Sequence, residues 1–213
     1  MKIKTLLIFF IANLTLLFLL TGCFNFNKSF PGKHFFMLTV SRKEKPSLLK
    51  SNMVLKIQTF RVFPQFEGRE FVYRKSNLIY ESDFYNGFFI SPGLMIAEDV
   101  GKWLIDSGLF KYVLLGSSPV EPTLNLEGEV SALYGDYRDA KAPKAVMKIQ
   151  FFLIRNVSFR PVIVFGKTYH EKIPLKGNSP DALVEGWDLA LEHILTQFET
   201  DLKDLHLNEG KTS

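Results

Sequence analysis

Cys23 is the only cysteine among 213 residues, and it ends the string Leu20-Thr21-Gly22-Cys23. An apolar residue, two small residues and then Cys is the form of a bacterial lipobox. Small side chains at Thr21 and Gly22 let the chain lie extended in a signal peptidase. The Cys23 thiol can take a diacylglycerol as a thioether, and after cleavage its new amino group can take an N-acyl chain. The residues before it fit the same chemistry. Lys2 and Lys4 form a basic head, and an uncharged run of 16 residues follows from Thr5 to Leu20. That is the layout of an export signal. A helix needs about 20 apolar residues to cross a bilayer, so the run is short for a spanning anchor, and Asn13 weakens it further. Several acyl chains hold a protein firmly where one does not. A processed chain is therefore expected to be membrane-bound through Cys23 alone. Phe24 follows where Asp would favour retention in the inner membrane, so the expected location is the cell envelope, at the periplasmic face of the outer membrane. With one cysteine, an internal disulfide and a catalytic thiol elsewhere in the chain are both excluded.

Other reactive side chains are scattered. His34, His170, His193 and His206 include no pair three or four residues apart, which argues against a structural zinc site. The chain contains no GxSxG elbow, P-loop or GxGxxG. Ser117 and Ser118 follow Gly116 with no neighbouring base, and Asp136 and Asp139 flank Arg138 in a polar loop. The expectation is a protein with no catalysis, cofactor, metal or nucleotide of its own. One other segment stands out, Asp83 to Pro92 (DFYNGFFISP), where Phe84, Tyr85, Phe88 and Phe89 crowd the approach to a helix. Aromatic connections usually pack over a core, and that is the expectation here. Exposure of two or more of these rings would instead make them a contact for a partner protein or a lipid.

Without residues 1–22 the balance is 24 Lys and Arg against 22 Asp and Glu, a formal charge of +2. A nucleic-acid footprint would need clustered basic residues on one face, and none is present. The 21 Phe, 7 Tyr and 2 Trp imply a large packed core. The expected organisation is a signal peptide over 1–22, the lipidated Cys and a short tether over 23–32, one folded domain over 33–205 and a disordered tail over 206–213.

Period-two alternation and turn residues predict strands over Phe35 to Val40, Met53 to Val62, Arg69 to Arg74 and Leu78 to Ser82. Further strands are expected over Tyr112 to Leu115, Thr123 to Tyr134, Ala145 to Arg155 and Val162 to Ile173. The last begins almost wholly apolar, as a central strand would. Ser91-Pro92 and Ser179-Pro180 each open a helix, Ser as cap and Pro at the first helical position. Gly108 stops the first helix. The second carries the stripe Leu183, Trp187, Leu191, Ile194, Phe198, Leu202 and Leu205, expected to pack on the sheet. Together these predict an α/β domain: a mixed, mostly antiparallel sheet with two helices on one face.

The order FFMLTV, VLKIQTFRV, REFVYR, LIYESDFYNGF, SPGLMIAEDVGKWL and SGLFKYV, continued by LEGEVSALYGDYRD and AVMKIQFFLIRN, resembles the ABC-type transport auxiliary lipoprotein family, whose members are paraquat-inducible protein C-like and MCE-associated. The resemblance spans most of residues 33–205. It implies a fold similar to the N-terminal domain of TolB. It also implies a non-catalytic role beside an MCE-domain protein and an ABC transporter that move lipids or other apolar molecules between membranes. Two other readings remain open: a lipid carrier with a cavity between the last helix and the sheet, and an assembly lipoprotein for an outer-membrane machine such as lipopolysaccharide export. A homo-oligomer is also left open.

Overall fold

A computed structural model describes residues 3–4, 32–47, 51–157 and 160–205. Cys23, most of the signal and tether, His206 and the expected tail lie outside the described residues. The chain divides into two units, Met1–Gly32 and Lys33–Ser213; the fold below is that of the second.

Its organising strand is β7, Leu124–Asp136. One edge of β7 takes β8, Lys144–Val157, antiparallel, and β8 takes β9, Arg160–Pro174, antiparallel. The other edge is shared by three shorter strands in succession, all parallel to it: β2, Ser51–Ile57; β3, Arg61–Val62; and β4, Glu70–Arg74. From β2 the sheet continues to β6, Phe110–Leu115, in parallel. From β4 it continues to β5, Tyr80–Phe88, antiparallel, and then to β1, His34–Phe36, parallel to β5.

Five of these eight pairings are parallel, so the expected mostly antiparallel sheet is corrected to a mostly parallel one. The physical reason lies in the connections. Short connections do join β4 to β5 and β7 to β8 as antiparallel neighbours. The chain from Ser51 to Arg74, however, runs beside β7 as one interrupted line. It returns to β7 only after an excursion through β5, a helix and β6, and a long crossover of that kind joins parallel strands.

The predicted strand over Met53 to Val62 is broken at Gln58–Phe60, where Phe60 turns its ring onto Gly128 of β7. A Cβ at Gly128 would stand 2.5 Å from that ring, so glycine alone fits. The inward phase of β7 also changes after Val130 at a register shift, and Leu133 rather than Ala132 then points into the core. β9, expected to be central, pairs only with β8 and is an edge strand. Its apolar start leaves Val162 and Ile163 exposed.

Helix α1, Pro92–Ser107, ends at Gly108 in the left-handed region at φ 67°. Ser91 holds the N-cap position without a side-chain bond, whereas Ser179 caps helix α2, Pro180–Asp204, by accepting from the Ala182 amide at 3.2 Å. The predicted stripe of α2 is buried from Leu183 to Leu202. Phe198 stacks on Phe151 of β8 at 4.3 Å, and Trp187 meets Phe71 of β4 edge-on at 5.0 Å.

The first strand is shorter than predicted because the backbone after it bonds to helix side chains instead of a neighbouring strand. The Thr39 amide donates to Asp188 Oδ1 at 2.8 Å. Arg42 then makes a two-pronged pair with Glu199, Nε to Oε2 and Nη2 to Oε1, each at 2.8 Å. Trp103 of α1 donates to the same Oε2 at 2.9 Å, and Lys203 pairs with Oε1 at 2.7 Å. Burial alone would raise the Glu199 pKa, but bonds from Arg42, Lys203 and Trp103 outweigh it and bring it down to about 2. One carboxylate thus ties both helices to the segment following β1. Among the described residues, no helix is long and apolar enough to cross a membrane.

Candidate docking surface

Asp83–Phe88, read from the sequence as a connection, forms the second half of β5. Its pairing with β4 slips there. Val72 faces Ser82, but Glu70 faces Gly87, so four residues of β5 oppose Phe71 alone. The excess bulges outward. Such bulges re-aim side chains, and this one is held by a single carboxylate. Asp83 Oδ1 accepts from the amides of Tyr85 (2.8 Å) and Asn86 (3.0 Å), and Oδ2 accepts from Asn86 Nδ2 (2.9 Å) and Tyr73 Oη (2.7 Å). Burial would raise the Asp83 pKa, yet these bonds leave it below the ordinary carboxylate range. The Tyr73 hydroxyl moves the other way, up, through its own burial and then the bond to Asp83.

The bulge divides the four aromatic residues singled out in the sequence. Phe88 is 2% exposed and packs between Phe71 (4.9 Å) and Trp187 (5.3 Å). Phe84, Tyr85 and Phe89 are 68%, 39% and 61% exposed. Phe84 and Tyr85 meet edge to face at 5.2 Å. Packing over the core, the expectation for this segment, therefore describes Phe88 and fails for its three neighbours.

Residues not singled out in the sequence complete the surface. Phe35 of β1 lies 6.4 Å from Phe89, the Arg69 guanidinium sits 5.7 Å from the Phe35 ring, and Lys33 Nζ lies 4.3 Å above Phe84. Arg69 also donates to the Phe89 carbonyl at 3.3 Å. A signal for Phe35 was present in the Phe35-Phe36 pair, since alternation sends one ring out wherever the other goes in. Rings backed by cations carry out no bond chemistry. They do supply large apolar area at low entropic cost and a preference for anionic or aromatic groups.

Among the described residues, His34 is exposed on β1, His170 is exposed on β9, and His193 lies 3.5 Å from Glu171. Burial, then Lys172 and Lys148, lower the His170 pKa. Among the described residues, no three of His, Cys, Asp and Glu converge as metal ligands would.

No protein-family model matches the chain, and no curated protein matches its sequence. Solved structures share its fold. Protein XCC0632 from Xanthomonas campestris, described by the family model DUF330, aligns with a TM-score of 0.72 at 16% identity, over 84% of this chain and all of that one (100%). An uncharacterized protein aligns with a TM-score of 0.62 at 14% identity, over 80% of this chain and 99% of that one. Lipoprotein GNA1162 from Neisseria meningitidis aligns at 0.36 with 8% identity, over 70% and 99%, a likeness too slight to argue from. At these identities the first two establish shared architecture and nothing about activity.

Proposed function

We propose that the chain is an envelope lipoprotein, held by acylated Cys23 at the periplasmic face of the outer membrane. In this reading it serves as a non-catalytic auxiliary subunit of an MCE/ABC-type system that moves lipids or other apolar molecules. The observation that carries the proposal is the exposure of Phe84 and Tyr85 on the β5 bulge, a segment fixed by four bonds to Asp83, and of Phe89 just beyond β5. Exposed apolar clusters of this kind mark contact sites. The lipobox and the ordered resemblance to auxiliary lipoproteins support the choice of partner, and the TolB-like fold belongs to the same proposal. ATP hydrolysis falls to another subunit, because this sequence carries no P-loop.

A photo-crosslinking residue placed at Phe84 in the native host tests the partner. An adduct containing an MCE-domain protein, lost in Phe89→Ser, is the expected result. Adducts that never contain such a protein reject this reading and favour the assembly lipoprotein.

The carrier alternative placed its cavity between the last helix and the sheet. The stripe of α2 from Leu183 to Leu202 is buried there, which counts against that location.

A further inference from the structure

The connection between β4 and β5 carries unusual residues for a turn in water. Turns favour Gly, Pro, Asn, Asp and Ser. Ser76 and Asn77 fit, but Leu78 and Ile79 follow them. Leu78 is 92% exposed and Ile79 54%. A single apolar residue on a surface needs no explanation, whereas two in succession at the end of a hairpin do. The hairpin is fixed just behind its tip. Tyr80 packs edge-on against Tyr134 of β7 at 5.6 Å and against Phe66 at 6.4 Å.

The backbone of the tip finds partners within the protein. Ser76 Oγ accepts from the amides of Leu78 (3.2 Å) and Ile79 (3.1 Å). The Ile79 carbonyl accepts from the Lys75 amide at 2.9 Å. Arg74 donates to the carbonyls of Ser76 (3.2 Å) and Asn77 (3.4 Å), and Arg138 of the β7–β8 connection donates to Asn77 Oδ1 at 3.0 Å. In water these bonds are dispensable, because solvent supplies partners. Away from water each unsatisfied backbone group is costly, so a turn that carries its own bonds is suited to leave it.

Behind the apolar tip come groups that suit a membrane–water boundary. Tyr80 is 45% exposed, and the Arg74 guanidinium lies 5.4 Å from its ring. Residues 74–81 and 136–144 together hold five Lys and Arg against three Asp and Glu, an excess that favours anionic headgroups. Two of the acids face Lys75 and Arg138: Glu81 at 3.9 Å and Asp136 at 2.7 Å. Leu and Ile foremost, with Tyr, Lys and Arg behind them, is the order that bilayer surfaces select.

The direction of the chain brings a bilayer to this end of the domain. β1 runs parallel to β5, so the chain enters it from the end that carries the tip. Its first residue, His34, faces Asn86, eight positions beyond Leu78. At about 3.4 Å per residue, the tip lies no more than roughly 27 Å from the start of β1. Ten residue steps from Cys23 to Lys33 reach at most about 35 Å, so an anchored chain has length enough for the tip to touch the membrane.

We infer that the β4–β5 tip inserts Leu78 and Ile79 into the bilayer that holds Cys23, at a surface carrying anionic headgroups, as a second contact that orients the domain. The contact rests on the acyl anchor proposed above for its bilayer. It uses no ring of the Phe84 surface and stands whether or not an MCE-domain protein docks there.

The test uses the full chain, purified from native membranes and placed in phosphatidylcholine nanodiscs with and without phosphatidylglycerol. A trace of phosphatidylcholine bears a diazirine near the end of one acyl chain, and irradiation followed by peptide mass spectrometry maps the adducts. Labelling is expected in 76–80, stronger with phosphatidylglycerol, and not in 117–121, which precede the opposite end of β7. Leu78→Asp puts a charge at the tip, and labelling of 76–80 should fall about tenfold. The side chain is almost wholly exposed, so the variant should keep its melting temperature. The intact mass of the same sample reads the acyl groups on Cys23. On an acylated chain, unlabelled 76–80, undiminished labelling of Leu78→Asp, adducts gathered on Phe84 and Phe89 instead, or equal labelling with and without phosphatidylglycerol would each overturn the inference. A chain without acyl groups would reject the anchor, and the contact with it.

Discussion

At the scale of single residues, two buried carboxylates behave in opposite ways. Glu199 is satisfied on every side, and the Arg42 guanidinium it pairs with is itself almost wholly enclosed. Removing one partner of a buried pair leaves a charge without compensation, which costs about 3–5 kcal/mol. Glu199→Ala should lose stability on that scale in urea denaturation, and Glu199→Gln, which keeps the shape, should lose less. Its pKa falls from an ordinary 4.5 to about 2. The stability it contributes is therefore present above the unfolded value and fades as pH drops through about 2.

Asp99 is the converse. It is buried in α1 with Oδ2 unpartnered, and burial, helped by Asp188 and Glu98 against the pull of Lys102, raises its pKa to about 7. Folding then favours the protonated form, so its ionisation costs stability as pH rises from the ordinary range through 7. Asp99→Asn should raise the melting temperature more at pH 8 than at pH 5. An equal gain at both would mean that the charge is not the cause.

At the scale of elements, the β5 bulge depends on Asp83. Asp83→Ala leaves Tyr73 Oη and the amides of Tyr85 and Asn86 without their acceptor, at about 1–3 kcal/mol for each such group that stays buried. Hydrogen exchange should speed at Tyr85 and Asn86 while the β7–β8 ladder keeps its protection. Because the Asp83 pKa is lowered, the bulge should also loosen in the wild-type chain as pH falls through that lowered value, and it should be firm above the ordinary carboxylate range. Unchanged exchange in Asp83→Ala would show that the pairing with β1 holds the segment by itself.

The sequence makes the long strands and both helices legible because their periodicity runs uninterrupted. Leu183 through Leu202 and Leu124 through Val130 read directly from spacing. It hides the bulge, because Asp83 and Asn86 look like ordinary turn residues until Phe71 is seen opposite them. It hides the parallel pairings because nothing local distinguishes β2, β3 and β4 as successive neighbours of one long strand. The exposed start of β9 misleads for a related reason: an apolar run cannot by itself tell a central strand from an edge whose face stays open.

At the scale of the whole molecule, the tether sets what the domain can reach. Lys33 is ten residue steps from Cys23, with nine residues between them, and a fully extended chain covers at most about 3.3–3.6 Å per residue. If Cys23 is acylated, Lys33 lies within roughly 35 Å of the bilayer surface. The aromatic surface begins at that same point, since β1 pairs directly with the bulge and Lys33 lies over Phe84. In the proposed reading, a partner that docks there would approach close to the membrane. Cys23→Ala removes the acyl acceptor, and the chain should keep its signal and take up no labelled palmitate in growing cells. Phe84→Ala should remain lipidated and lose only its partner. Palmitate incorporation in Cys23→Ala would place the lipid on another residue. Both the length of the tether and the nearness of the docking surface to the bilayer would then have to be abandoned.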